Sequence, residues 1–142
     1  MLNQLDNWMR GFLAKWGTTL LRISLSVVFV WFGLLKIFGV SPVEELVNSS
    51  FGFLPFEFPF KYLGVMEVAI GLGLLFKVAL RTTLGLMWLM LIGTFTAVFF
   101  NPTLFFSGNI FLLTTEGEFV IKNLVLLSAG MVIGAFEVRP RK

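Results

Sequence analysis

Lys36, Glu67 and Lys122 are the residues of this 142-residue chain best placed to do chemistry, because each falls inside a long apolar segment. An ionisable side chain at the centre of a bilayer costs about 2.5–3.5 kcal/mol on insertion scales, so such groups face a bundle interior and pair. At about 1.5 Å per residue, Glu67 lies about 9 Å past Lys61, Lys36 about 7 Å before Ser41 and Lys122 about 6 Å past Glu118. If Lys61, Ser41 and Glu118 mark the same side of a membrane, all three charges sit at nearly one depth. Helical phase points the same way. Glu67 shares a face with Gly64 and Gly71, and Arg22, Ser26, Gly33 and Lys36 form one stripe. Asn123 aligns with Gly130 and Gly134, with Lys122 beside that face; small residues mark close helix contacts. The expected site is therefore one carboxylate with up to two ammonium groups, Asn123 alongside, and a surplus of one positive charge.

Three kinds of chemistry fit such a cluster. Glu67 and one lysine can pair to hold helices in register. The surplus lysine can attract a quinone carbonyl, a lipid phosphate or another anion. Glu67 can titrate as a proton relay. Lysines near the interface also snorkel outward, which works against all but the first. Arg22 reads as a headgroup or carbonyl anchor, and Trp31 and Trp88 as ring packing or the wall of a flat cofactor.

Other chemistry is excluded by composition. The chain has no Cys and no His, which removes disulfides, zinc sites, Cys-ligated iron–sulfur clusters, His-ligated haem and any Ser–His or Cys–His nucleophile. The methionines form no cluster suited to a metal, and Gly71-Leu72-Gly73 lacks the context of a phosphate loop. No intrinsic cofactor and no catalytic constellation is expected. A net charge of +3 is too small and scattered to suggest nucleic acid.

The elements that must position these residues are transmembrane helices. The chain is 57% hydrophobic and 13% charged, whereas soluble domains run at about 45–50% and about 25%. The length allows a single membrane domain. Four apolar segments, 18–39, 61–79, 82–101 and 119–137, are expected to span, since a bilayer needs about 20 helical residues. The third should stop near Asn101-Pro102. The fold class expected is an all-α, integral membrane four-helix antiparallel bundle; the rival is three spans with one helix on the surface. The first 16 residues lack the early basic region and cleavage site of a signal peptide, and residues 1–17 are expected to form an interfacial helix. Their apolar residues Leu2, Leu5, Trp8, Met9, Phe12, Leu13 and Trp16 recur at helical spacing, which predicts an interfacial amphipathic helix. Ser41-Pro42-Val43-Glu44 is a capping box and predicts a short helix over 42–48. The Phe-rich stretch 51–60 should fold over the outer mouth, as helix cover or as a lid. The apolar loop 103–118 should lie beside it.

Basic residues set the orientation. Arg10, Lys15, Arg22, Lys77, Arg81, Arg139, Arg141 and Lys142 fall on one side, and Lys36, Lys61 and Lys122 on the other. Both termini are expected in the cytoplasm.

Leu21-Arg22-Ile23-Ser24-Leu25-Ser26, followed by Phe32-Gly33-Leu34-Leu35-Lys36, resembles the opening of DoxX-like membrane proteins. So do Glu67 with Gly71-Leu72-Gly73-Leu74-Leu75, and the run from Thr115-Glu116-Gly117-Glu118 to Leu126. The resemblance covers residues 18–136. It implies a bacterial inner-membrane four-helix protein, multi-pass, working with other membrane subunits or as a homo-oligomer. It also implies a small accessory subunit of a quinone-linked redox complex that contacts quinone or lipid. Relatives in the wider superfamily use cysteine pairs, and this chain has none, so any electron transfer must borrow a partner's cofactor or a bound quinone. The alternative is a stand-alone transporter or small-molecule binder built on the Lys36, Glu67 and Lys122 cluster.

Overall fold

The computed structural model of the chain describes residues 2–41, 44 and 60–138. The described residues form four α-helices: α1 Leu2–Ile37, α2 Phe60–Phe76, α3 Leu80–Phe100 and α4 Thr115–Glu137. A 3-10 turn, Pro102–Leu104, follows α3. Among the described residues there is no strand, only an isolated bridge between Phe106 and Leu113. Three helices, α1, α3 and α4, are long and apolar enough to cross a membrane. The expected short helix over 42–48 and the Phe-rich stretch lie outside the described residues, apart from Glu44 and Phe60.

The helix termini have local causes. α2 has 17 residues, about 26 Å of helix, and ends at Phe76 rather than running to residue 79 as expected. Lys77 takes a left-handed φ of 56°, and the Val78 N–H turns back to the Gly73 carbonyl at 3.0 Å; this is how helices commonly end. α4 begins at Thr115, four residues before the expected start, because Thr114 caps it: its hydroxyl accepts from the Gly117 N–H at 3.1 Å. Glu116 and Glu118 fall in that first turn, where negative charge suits the helix dipole.

α1 joins the expected amphipathic segment to the first expected span without a break. It is one unbroken helix of 36 residues, about 54 Å long, against a hydrocarbon core of about 30 Å. Nothing between residues 16 and 18 interrupts the hydrogen-bond ladder, since Gly17 is only mildly unfavourable in a helix. The first four turns carry exposed Leu5, Trp8, Met9, Phe12 and Trp16, with Trp8 stacked on Phe12 and Lys15 over the Trp16 ring.

Each helix packs against its neighbours in a closed order, α1 on α2, α2 on α3, α3 on α4 and α4 on α1, with α1–α2 the most extensive pair. The α1–α2 pair is antiparallel and close. A Cβ on Gly33 would meet the Gly64 carbonyl oxygen at 2.6 Å, and one on Gly64 the Gly33 oxygen at 2.7 Å. Only glycine permits that approach. Between α3 and α4, Met87 and Trp88 seat on Gly130. The core of Leu25, Phe29, Ile70, Leu74, Leu84, Met87, Leu91 and Ile133 fills the middle. Outward faces carry Trp31, Leu89, Ile92, Leu124, Val125 and Phe136. Charge inside and hydrocarbon outside is the reverse of a soluble protein.

Candidate functional site

The α1 stripe read from sequence faces α2. The buried ammonium of Lys36 donates to Glu67 Oε2 at 2.7 Å, and both side chains are almost closed to the surface, 6% and 7% exposed. The phase explains the meeting. Lys36 and Glu67 stand on opposite sides of the Gly33–Gly64 contact in this antiparallel pair, and because helical side chains lean toward their own N-termini, both reach back over the close approach and meet. The Phe60 ring lies 5.9 Å from Lys36 Nζ and supplies a further favourable face for the cation.

The pair borders a cavity of about 90 Å³. One water needs about 10–15 Å³ on the same measure, so a group of several heavy atoms fits. Lys36, Glu67, Thr94 and Asn123 line it, one polar residue from each helix, among Phe29, Phe32, Leu63, Met90, Leu91, Phe119 and Leu126. Thr94 Oγ1 donates to the Met90 carbonyl at 3.1 Å, which leaves its lone pairs for the cavity. The Asn123 side chain is buried and makes no hydrogen bond with any described residue. Among the described residues only Trp88 Nε1 is a fully enclosed side-chain nitrogen or oxygen without a hydrogen-bond partner, so the Asn123 amide keeps some open surface where it lines the cavity.

Lys122 does not join the cluster. Its side chain is 74% exposed and its Nζ lies 3.5 Å from Glu118 Oε2 on the same helix. Asn123 takes the inward position that one more residue of helix rotation provides, and a second ammonium inside would have no counter-charge. The expected surplus of positive charge is therefore absent: the Lys36–Glu67 pair is self-neutralised. Trp31 is also outside the cavity, 64% exposed on the outer face of α1.

Residues 17–101, more than half of the chain, match the family model described as DoxX. The chain belongs to the DoxX family. No curated protein and no solved structure matches it. In this DoxX chain the matched segment runs through α1, α2 and α3 and holds Arg22, Lys36, Glu67 and Thr94, whereas Asn123 lies beyond it on α4.

A second polar centre of the DoxX chain sits where α2 and α4 end against the middle of α1. Arg22 is buried and donates through Nη1 to the Leu74 and Leu75 carbonyls at 2.6 and 2.8 Å and through Nε to Glu137 Oε2 at 2.9 Å. Lys77 Nζ reaches the same Glu137 oxygen at 2.8 Å. Of its two expected roles Arg22 thus takes that of carbonyl anchor, satisfying the last turn of α2, whose carbonyls have no helical partner. Between the two centres Ser26 Oγ donates to the Gly71 carbonyl at 2.6 Å.

Sequence reasoning missed Glu137 and Thr94. Glu137 stands at the end of α4, where an acid looks solvated, but it follows Gly130 and Ile133 at intervals of three and four. Thr94 lies three residues from both Leu91 and Ala97, which are buried. Phase was the available signal in each case.

Proposed function

We propose that this DoxX-family membrane protein is a non-catalytic, small-molecule-binding subunit that crosses a bacterial inner membrane as a four-helix antiparallel bundle with both termini in the cytoplasm. The observation that carries the binding reading is the Asn123 amide, which makes no hydrogen bond with a described residue, beside the self-neutralised Lys36–Glu67 pair in a cavity whose other lining is apolar apart from Thr94. Buried polar groups are kept where they have partners, and a ligand oxygen would supply the missing one. The apolar layer of Leu25, Ile70, Leu74, Met87 and Ile133 stands between this cavity and the Arg22–Glu137 centre, which favours binding over passage through the protein. A quinone head or a lipid carbonyl has the required chemistry: a flat or slender apolar body with an oxygen acceptor. With no Cys and no His, the chain's place in a redox complex would be that of an accessory subunit beside a partner that carries the electrons.

Purification in a mild detergent tests both parts. Native mass spectrometry should find other membrane subunits in fixed stoichiometry. Decylbenzoquinone should raise the melting temperature of the purified chain saturably, with one molecule bound per chain. Absence of any saturable shift would remove the binding reading, and purification as a lone chain would remove the accessory role.

A further inference from the structure

The walls of the cavity differ in how firmly they are closed. On the α1–α2 side the backbones touch through Gly33 and Gly64, and the Lys36–Glu67 bond crosses the same contact. On the α3–α4 side the buried Leu91 and Val120 line the cavity, and one turn further Met87 and Trp88 fill the notch at Gly130. The lining residues are half-buried on two sides: Leu63, Met90 and Thr94 between α2 and α3, and, with the larger apolar rings, Val28 and Phe32 of α1 and Phe119 and Leu126 of α4. Among the described residues the α1–α4 side has no polar side chain at its rim facing the cavity. That seam is tied at its inner end by Arg22 and Glu137. At the level of the cavity its only ring contact among the described residues is Phe32 against Phe119, centroids 5.8 Å apart and tilted by 38°. No side-chain hydrogen bond among the described residues crosses it there. Trp31 and Val125, outward neighbours on the same two helices, present apolar surface to the surroundings. Lys122, between Phe119 and Leu126 in the α4 sequence, is exposed and holds its ammonium 3.5 Å from Glu118 Oε2.

The interior defines what can pass. A charged molecule would find no uncompensated charge, since Lys36 and Glu67 already neutralise each other, and transferring it from lipid would be unfavourable. An uncharged molecule with one carbonyl or hydroxyl oxygen finds the Asn123 amide, which both donates and accepts, among phenylalanine rings.

We infer that the cavity is loaded sideways from the bilayer, through the α1–α4 seam at Phe32 and Phe119, by a neutral amphiphile whose carbonyl or hydroxyl oxygen is bound by Asn123. The inference rests on the binding reading above and adds the ligand's charge, its route and the residue that selects it.

The absence of native cysteine allows a route test that needs no ligand. Single thiols are placed by Asn123→Cys in the cavity, Val125→Cys on the lipid face and Ser107→Cys in the loop, and the full chain is reconstituted in phosphatidylcholine vesicles. N-phenylmaleimide, dissolved in the membrane, should modify Asn123→Cys at least tenfold faster than a membrane-impermeant sulfonated maleimide does, each rate taken relative to Val125→Cys and Ser107→Cys. Adding Phe32→Trp should slow the N-phenylmaleimide reaction at least fivefold without changing the Ser107→Cys rate. A sulfonated reagent that reaches Asn123→Cys readily would place the mouth in water. No effect of Phe32→Trp would place it at another seam, and no reaction with either reagent would mean a sealed cavity; each overturns the inference. For selection, Asn123→Leu should weaken decylbenzoquinone binding at least tenfold, while decanoate should leave the parent's melting temperature unchanged. Equal binding by Asn123→Leu, or a saturable shift with decanoate, would overturn that part. Because the labelling requires no bound molecule, the route can fail while binding stands, and the reverse.

Discussion

Lys36 and Glu67, thirty-one residues apart in the chain, meet at 2.7 Å inside the protein, and no second lysine stands behind Lys36. Each is the other's only ionic partner among the described residues, so neither can be lost without leaving a buried charge. Breaking a buried pair in this way costs about 3–5 kcal/mol. Glu67→Gln and Lys36→Met should each lower the melting temperature in detergent strongly and by similar amounts. Lys122→Met should not, since its contact with Glu118 is an exposed helical pair, worth about 0.3–0.5 kcal/mol. A Lys36→Met variant that melts like the parent would show that Lys122 can replace Lys36 after all.

Glu137 is the node of the second polar centre, where one carboxylate oxygen serves Arg22 on α1 and Lys77 after α2. Glu137→Leu leaves the Arg22 guanidinium with only the two α2 carbonyls and should destabilise the protein by about 1.5–3 kcal/mol, the range for a hydrogen bond to a charged group. Lys77→Met should cost much less because the Lys77 side chain is 52% exposed and screened by solvent. Urea or thermal unfolding of the two variants in the same detergent ranks them. The reverse order would mean that Lys77, not Arg22, is the principal partner.

The glycines at the α1–α2 contact should be unequal to those elsewhere on α1. Gly33→Ala places a methyl group 2.6 Å from the Gly64 carbonyl oxygen and forces the helices apart, which should also disturb Lys36 and Glu67. Gly11→Ala meets nothing within 4 Å and should stabilise the helix by about 0.5–1 kcal/mol. Yield and melting temperature of the two variants distinguish a packed seam from a general intolerance of side chains on α1.

Orientation is tested by single cysteines in intact cells. Ser107→Cys should react with an impermeant thiol reagent applied from outside, and Lys142→Cys should react only after lysis. Labelling of Lys142→Cys from outside would reverse the topology that the basic residues imply.

Several features of the fold were legible in the residues because they follow from chemistry that is local or periodic. An apolar chain with few charges must be helical in a membrane, since every backbone group has to be satisfied within its own segment. The stripe Arg22, Ser26, Gly33 and Lys36 and the face Gly64, Glu67 and Gly71 follow from 3.6 residues per turn, and the structure sets them against each other. Only the tertiary structure decided which of two adjacent residues, Lys122 or Asn123, points inward. One position is 100° of rotation, less than the uncertainty in reading how α4 is turned against its neighbours, and the cost of a second buried ammonium settles it. Glu137 gained its role in the same way, from the place where the ends of α2 and α4 converge on the middle of α1 rather than from its own surroundings in the chain. The unbroken length of α1 and the early start of α4 depended on a single backbone ladder and a single threonine cap, which composition does not reveal. The sequence determined which groups must avoid lipid; packing decided which of them meet.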